Sequence, residues 1–176
     1  MEEGWPVPKY LGACGRLIVE EYVGLPLNEF YYEPWKVRAQ IASSLLNAAY
    51  IFTFKSDDFS FYLTDVTVDN IAVDSTNTAR FVDLENVIVV DKNILPEERS
   101  TNWEQLQVNT ENINCTDCLI FSSADICNHK ISDHNYYAIC QQLLSLHIKD
   151  NLFFGGLLHD IPVEILEKHS TIQYLI

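Results

Sequence analysis

The chain has 176 residues, which fits one domain, and 48% of them are hydrophobic, which is enough to bury a core. It carries 11 basic and 25 acidic residues, and the net charge of −14 excludes a nucleic-acid or anionic-membrane surface, because both need an excess of Lys and Arg. The acidic N-terminus lacks the apolar stretch of a signal peptide, and no apolar run approaches the roughly 20 residues of a membrane span.

Three elements are predicted in the first third of the chain. Arg16–Val23 has the composition of a strand that ends at Gly24. Pro34 opens a helix over Trp35–Phe54, in which apolar residues recur at nearly the helical period. The polar run at 56–58 ends that helix, and a strand over Phe59–Leu63 leads to Asp65.

A hairpin is predicted next. Ile71–Val73 and Ala79–Val82 are β-rich runs separated by a polar turn at 74–78. Such a hairpin would return Asp83 to the neighbourhood of Asn70. Residues 91–135 are polar and Asn-rich, and are predicted to be dominated by loops. After them, Asp133 is placed to cap a helix, and a short terminal helix begins near Pro162.

The cysteines leave three interpretations open. The first is two disulfides in the C-terminal third with Cys14 as an orphan, and the second is a zinc site built on the C-x-x-C pair. The third is five reduced thiols. A glycosylation sequon at Asn114 suits a secreted protein. The cysteines are Cys14, Cys115, Cys118, Cys127 and Cys140.

Three polar residues form the pattern most suggestive of chemistry. Asp65 and Asn70 have the D-x-x-x-x-N spacing of the protein-kinase catalytic loop, and Asp83 follows thirteen residues later, after the predicted hairpin. This resemblance implies that Asp65 orients the attacking hydroxyl, while Asn70 and Asp83 hold Mg²⁺ against the phosphates of ATP. The alternative is that all three are turn and hairpin-flanking residues without a catalytic role.

A broader resemblance rests on five blocks. They are GACGRLIVEEYVG, FYLTDVTVDNIAV, FVDLENVIVVDK, DHNYYAICQQLLSLH and GGLLHD. Over roughly residues 9–162 the chain resembles the divergent kinase-domain proteins of the secretory pathway, in the Deleted-in-Autism branch. By this resemblance Glu21 and Val23 lie on the hinge that offers backbone groups to adenine, and Ala72 lies on the floor of the adenine site.

The fold implied by the resemblance is α+β: a protein-kinase-like C-lobe, mainly α-helical, with a hinge strand and a small β-hairpin. One domain would span residues 1–176, with the hinge, long helix, catalytic loop and metal-site hairpin in 9–90. Cysteine-bearing loops and C-terminal helices would occupy 91–176. No part of the sequence matches a Gly-rich loop, the ATP-anchoring Lys or its Glu partner, so the N-lobe is expected to be missing.

The resemblance also implies a compartment. Members pass through the Golgi or are secreted, which favours disulfides among the four cysteines Cys115, Cys118, Cys127 and Cys140 and glycosylation at Asn114. Partners would then be a protein substrate or a cell-surface receptor.

Two functions remain open because the chain departs from ordinary kinases. Leu63-Thr64 stands where kinases have His-Arg, and Leu84-Glu85 stands where they have Phe-Gly. The first function is phosphoryl transfer from ATP to a hydroxyl by a complete parent protein, with this chain alone inactive. The second is a pseudokinase that acts by binding, without catalysis.

Overall fold

The computed structural model describes residues 4–109, 119–145 and 156–168. The strands in this part of the chain are β1 (Tyr10–Cys14), β2 (Leu17–Glu20), β3 (Leu25–Pro26), β4 (Phe59–Leu63), β5 (Ile71–Val73), β6 (Ala79–Phe81), β7 (Val87–Asp91), β8 (Leu106–Gln107) and β9 (Ile131–Ser132). The helices are α1 (Trp35–Phe54), α2 (Ser123–Cys127), α3 (His134–Ile139) and α4 (Val163–Lys168). A π-helical turn over Cys140–Leu144 extends α3.

Helix α1 is the centre of the main hydrophobic core. Ile41, Leu45, Ala49 and Phe52 recur every three or four residues and are fully buried together with residues of β5, β6 and α3.

At the C-terminal end of α1, Lys92 Nζ donates to the carbonyl oxygens of Thr53 at 3.1 Å and Ser56 at 2.6 Å. A cation therefore satisfies carbonyls that a helix end leaves without partners.

Strands β3, β5 and β6 form an antiparallel sheet beside α1. β5 pairs with β6 so that Ile71 lies opposite Phe81 and Val73 opposite Ala79, and these four side chains are buried. The turn between the strands is closed by Asp74, whose Oδ1 accepts hydrogen bonds from the backbone N–H groups of Thr76 at 2.8 Å and Thr78 at 3.1 Å. The sheet therefore presents one apolar face to α1.

The remaining strands form pairs. β4 is antiparallel to β7 from Phe59 opposite Asp91 to Leu63 opposite Val87. Tyr62 of β4 is buried in a second, smaller cluster with Val90, Trp103 and Ile126. β1 and β2 pair antiparallel, and β8 and β9 pair parallel. Within the described residues, no helix is long and apolar enough to cross a membrane.

Several sequence predictions are confirmed. α1 and β4 have the predicted bounds, the α+β composition is as expected, and the predicted hairpin is formed by β5 and β6, which ends at Phe81, one residue early. α4 begins directly after Pro162, as predicted.

One predicted strand is shorter in the structure, and two broader predictions can be compared with the observed elements. The strand expected over Arg16–Val23 stops at Glu20, because its partner β1 begins at Tyr10, the residue opposite Glu20. In the described part of 91–135 the elements β8, α2 and β9 are two to five residues long, so the region is dominated by loops, as predicted. In the described residues the helices contribute more residues than the strands, and α1 alone contributes 20 of them.

Candidate functional site

The loop that carries Asp65 begins at the end of β4 and closes on itself. Val66 is buried and anchors the loop to the core, whereas the Asp65 side chain is exposed. A 3₁₀ turn at Val68–Asn70 ends the loop, and the Asn70 side chain returns to donate from Nδ2 to the Asp65 carbonyl oxygen at 3.3 Å. Asp65 and Asn70 are therefore joined although five residues separate them.

The hairpin β5–β6 brings Asp83 back to this loop. The backbone N–H of Val82 donates to the Asn70 carbonyl at 2.9 Å, one residue before Asp83. The Asp83 carboxylate is exposed, and its Oδ1 accepts a hydrogen bond from the Glu85 N–H at 3.1 Å. The return of Asp83 towards Asn70, predicted from two short β-rich runs, is therefore present in the structure.

A second contact joins the two sides of the site. The Thr64 hydroxyl, beside Asp65, donates to the carbonyl of Asn86, three residues after Asp83. Between the two segments lies a recess of about 10 Å³ with both Asp65 and Asp83 on its wall. That volume is close to what one water molecule requires. Its lining residues are Leu63, Thr64, Asp65, Asp83, Leu84, Asn86 and Val87.

The donor set at this recess is made of oxygens. Two exposed carboxylates with a neighbouring amide are the ligand type that hard divalent cations prefer. In residues 4–109, 119–145 and 156–168, no group of three or more His, Cys, Asp or Glu side chains could hold a metal ion. A cation here would thus need Asn70 and oxygens of its own ligand in addition to the two carboxylates.

The residues predicted to contact adenine lie on a neighbouring edge. β3 pairs with β5 so that Pro26 lies opposite Ala72. Just before β3, the backbone of the chain lies against the Val73 carbonyl of β5. Gly24 makes this contact, and a Cβ atom there would lie 2.0 Å from the Val73 carbonyl oxygen. Gly24, the residue after Val23, therefore lies close to the strand that carries Ala72.

The structure describes three of the five cysteines. Among the described residues, Cys14, Cys127 and Cys140 are exposed, and no disulfide joins any of them to another. Cys115, Cys118 and Asn114 lie outside the described residues, so the disulfides and the glycosylation stay predictions.

Sequence reasoning missed residues that support the loop. Thr64 was noted only as a departure from His-Arg, and the run Asp133-His134-Asn135 only as the start of a helix. His134 and Asn135 are fully buried and bond to the backbone of β4. Two adjacent polar residues opening an apolar helix were the available signal, but the sequence does not show which strand they contact.

Comparison with known proteins identifies the family of the chain. The chain belongs to the family described as "Protein-kinase domain of FAM69", which matches residues 1–172. The predicted resemblance to divergent kinase-domain proteins is thereby confirmed.

Two sets of relatives carry the comparison further. The chain is 42% identical to "Divergent protein kinase domain 2A" of Xenopus tropicalis and 41% identical to the Homo sapiens protein of that name, over 93% of the chain in each case. It is 29% identical over 81% of its length to "Divergent protein kinase domain 2B" of Homo sapiens. The chain spans only 39% of the 2A relatives and 32% of the 2B relative. No solved structure matches the chain.

Proposed function

We propose that these residues form the C-lobe side of a nucleotide cleft in an atypical protein kinase. In this assignment Asp65 orients the hydroxyl of a protein substrate, and Asn70 and Asp83 hold the Mg²⁺ of bound ATP. The observation that carries the proposal is the closure of the loop on the hairpin through the Val82–Asn70 hydrogen bond. Membership of a kinase-domain family supports the same reading.

Phosphoryl transfer requires few further functional groups from the protein. Phosphoryl transfer is accelerated chiefly by positioning and by neutralising charge on the phosphates, and both carboxylates are exposed where a ligand can reach them. Mg²⁺ would supply the positive charge that a chain of net charge −14 does not. The adenine would lie against the backbone of Glu21 and Val23 and over Ala72.

The chain by itself is expected to have no kinase activity. It spans about two fifths of the 2A relatives, and it has no match to the Gly-rich loop or the Lys that would bind the phosphates from above. Mg²⁺-dependent transfer of phosphate by the purified 176-residue chain would contradict this expectation.

Nucleotide binding is the decisive test. ATP with Mg²⁺ should raise the melting temperature of the complete gene product that contains these residues, and Asp83→Ala should remove that increase. Asp69→Ala is the matched control, because Asp69 is an exposed carboxylate of the same loop. Loss of the shift in both variants, or retention of it in Asp83→Ala, would count against the assigned metal site.

A pseudokinase that binds a cell-surface receptor is the second candidate. The observation that favours it is the departure at Leu63-Thr64 and Leu84-Glu85, where the Thr64 hydroxyl is engaged with the Asn86 carbonyl. This candidate predicts no melting-temperature change with ATP and Mg²⁺ in a folded wild-type protein.

We also propose passage through the Golgi or secretion, with disulfides among Cys115, Cys118, Cys127 and Cys140. Protein recovered from the medium of expressing cells should lose mass on N-deglycosylation, and Asn114→Gln should remove that loss. Recovery of the protein with five titratable thiols would overturn the disulfides.

A further inference from the structure

The strand that leads to Asp65 has one edge without a strand partner among the described residues. β4 pairs with β7 along one side only. On the other side lie the Phe61 carbonyl and both backbone polar groups of Leu63. Buried backbone groups need hydrogen-bond partners, so something other than a strand must supply them here.

Asn135 supplies two of these partners with one side chain. Its Oδ1 accepts from the Leu63 N–H at 2.9 Å, and its Nδ2 donates to the Phe61 carbonyl at 2.7 Å. An acceptor and a donor on one side-chain amide reproduce the C=O and N–H that a single residue of a neighbouring strand would offer. Nδ2 also donates to Thr53 Oγ1 at 3.0 Å, which ties the same amide to α1.

His134 supplies the third partner. Its Nε2 lies 2.7 Å from the Leu63 carbonyl oxygen, and because a carbonyl only accepts, Nε2 carries the proton. In the neutral ring Nδ1 is then an acceptor, which matches the Asn109 side-chain amide at 3.3 Å. Burial lowers the pKa of His134, with the neighbouring Asp133 acting in the opposite direction, which favours the neutral form that this pattern requires.

We propose that Asn135 and His134 are positioning residues that replace a strand on the free edge of β4 and thereby fix the loop that carries Asp65. Leu63 is held through both its N–H and its carbonyl, and only Thr64 separates it from Asp65. Displacement of Leu63 would move Asp65 relative to Asp83 across the recess. The consequence for nucleotide binding rests on the proposed function, whereas the restraint on the loop does not.

Amide hydrogen exchange on the complete gene product tests the restraint directly. In Asn135→Leu the Leu63 amide loses its acceptor, so its exchange should accelerate by about tenfold or more, as expected for the loss of a buried hydrogen bond. Exchange within α1 should stay unchanged. Thr53→Val is the matched control, since it removes the bond to α1 and leaves both bonds to β4.

A pair of variants at His134 keeps the test decisive if Asn135→Leu does not fold. His134→Phe removes the donor to Leu63 and should accelerate exchange over residues 64–70. His134→Gln retains an N–H donor and should restore part of the protection. Unchanged exchange at 63–70 in His134→Phe, or equal acceleration in α1, would overturn the proposal.

Titration with ATP and Mg²⁺ separates the two levels of inference. If wild type binds and His134→Phe binds more weakly at unchanged secondary structure, both the positioning role and the cleft are supported. If wild type does not bind while loop exchange still depends on Asn135 and His134, the proposed function fails and the restraint stands.

Discussion

Two hairpins in the described part of the chain have similar β-rich sequences and opposite environments. In β5–β6, Ile71 and Phe81 are at most 1% exposed and pack in the α1 core. In β2, Leu17 and Ile18 are 70% and 67% exposed. Both have a β-rich composition, but in the described residues β5–β6 packs against α1 whereas β2 is exposed along its length. Strand propensity alone therefore does not determine which hairpin can hold a site.

The candidate site is built on the buried hairpin. Asn70 and Asp83 flank β5 and β6, so their separation is set by strands that cannot shift without exposing core side chains. An isolated two-stranded hairpin with exposed faces is only marginally stable in water. Within the described residues, β1–β2 is a hairpin of this kind. A difference in stability between the two hairpins is therefore measurable by substitution.

The largest expected effect is at Phe81. Phe81→Ala should lower the free energy of unfolding by about 3–5 kcal/mol, because it removes a buried aromatic side chain from the core and leaves a cavity. Ile18→Ala, in the exposed hairpin, should change it by less than about 0.5 kcal/mol. Urea unfolding measures both, and equal losses would erase the contrast between the hairpins.

A smaller effect is expected where β3 approaches β5. Gly24→Ala should destabilise the protein by about 1–3 kcal/mol, because the new Cβ atom would force the chain away from the Val73 carbonyl. Gly12→Ala is the matched control in β1, since no atom lies within 4 Å of a Cβ added there. Thermal unfolding of the two variants compares them, and a harmless Gly24→Ala would show that this contact is loose.

The pH dependence of stability should report on His134. Its pKa is lowered in the folded state, so the unfolded chain binds more protons between that pKa and the unfolded value of about 6.5. Stability is therefore complete above pH of about 6.5 and falls as the pH drops towards the folded pKa, by about 1.4 kcal/mol for each unit of depression.

The control for that pH dependence is His134→Gln, which keeps a donor but does not titrate. The slope of stability below pH of about 6.5 should flatten in this variant. Asp133, the carboxylate beside the ring, has a pKa that burial raises, and this carboxylate is retained in the variant. An identical slope in wild type and variant would assign the pH dependence elsewhere.

The smallest effect is expected at the site itself. Without Mg²⁺, Asp65→Asn and Asp83→Ala should each change the free energy of unfolding by less than about 0.5 kcal/mol, because both carboxylates are exposed. Asp74→Ala should cost about 1–2 kcal/mol, because its carboxylate closes the β5–β6 turn. A large loss at Asp65 would indicate a structural carboxylate instead of an available ligand.

Local sequence patterns predicted the elements that position the site. The helical period of 35–54 and the polar turn at 74–78 are short-range signals, and they were sufficient for α1, for β4 and for the return of Asp83 towards Asn70. The bonds from Asn135 to Leu63 and Phe61 join residues more than 70 positions apart. Neither periodicity nor spacing encodes such contacts, because they depend on how α3 packs against β4.

Lys92 provides a chemical reporter of the same fold. Its ammonium group is withdrawn from solvent and engaged with two carbonyls at the end of α1, so an amine-acylating reagent reaches it only when the chain opens. Lys36, exposed in the first turn of the same helix, is acylated in the native state as well. Mass spectrometry gives the ratio of acylation at Lys92 to acylation at Lys36, and this ratio reports the fraction of molecules that are folded. The measurement needs neither a ligand nor an activity assay.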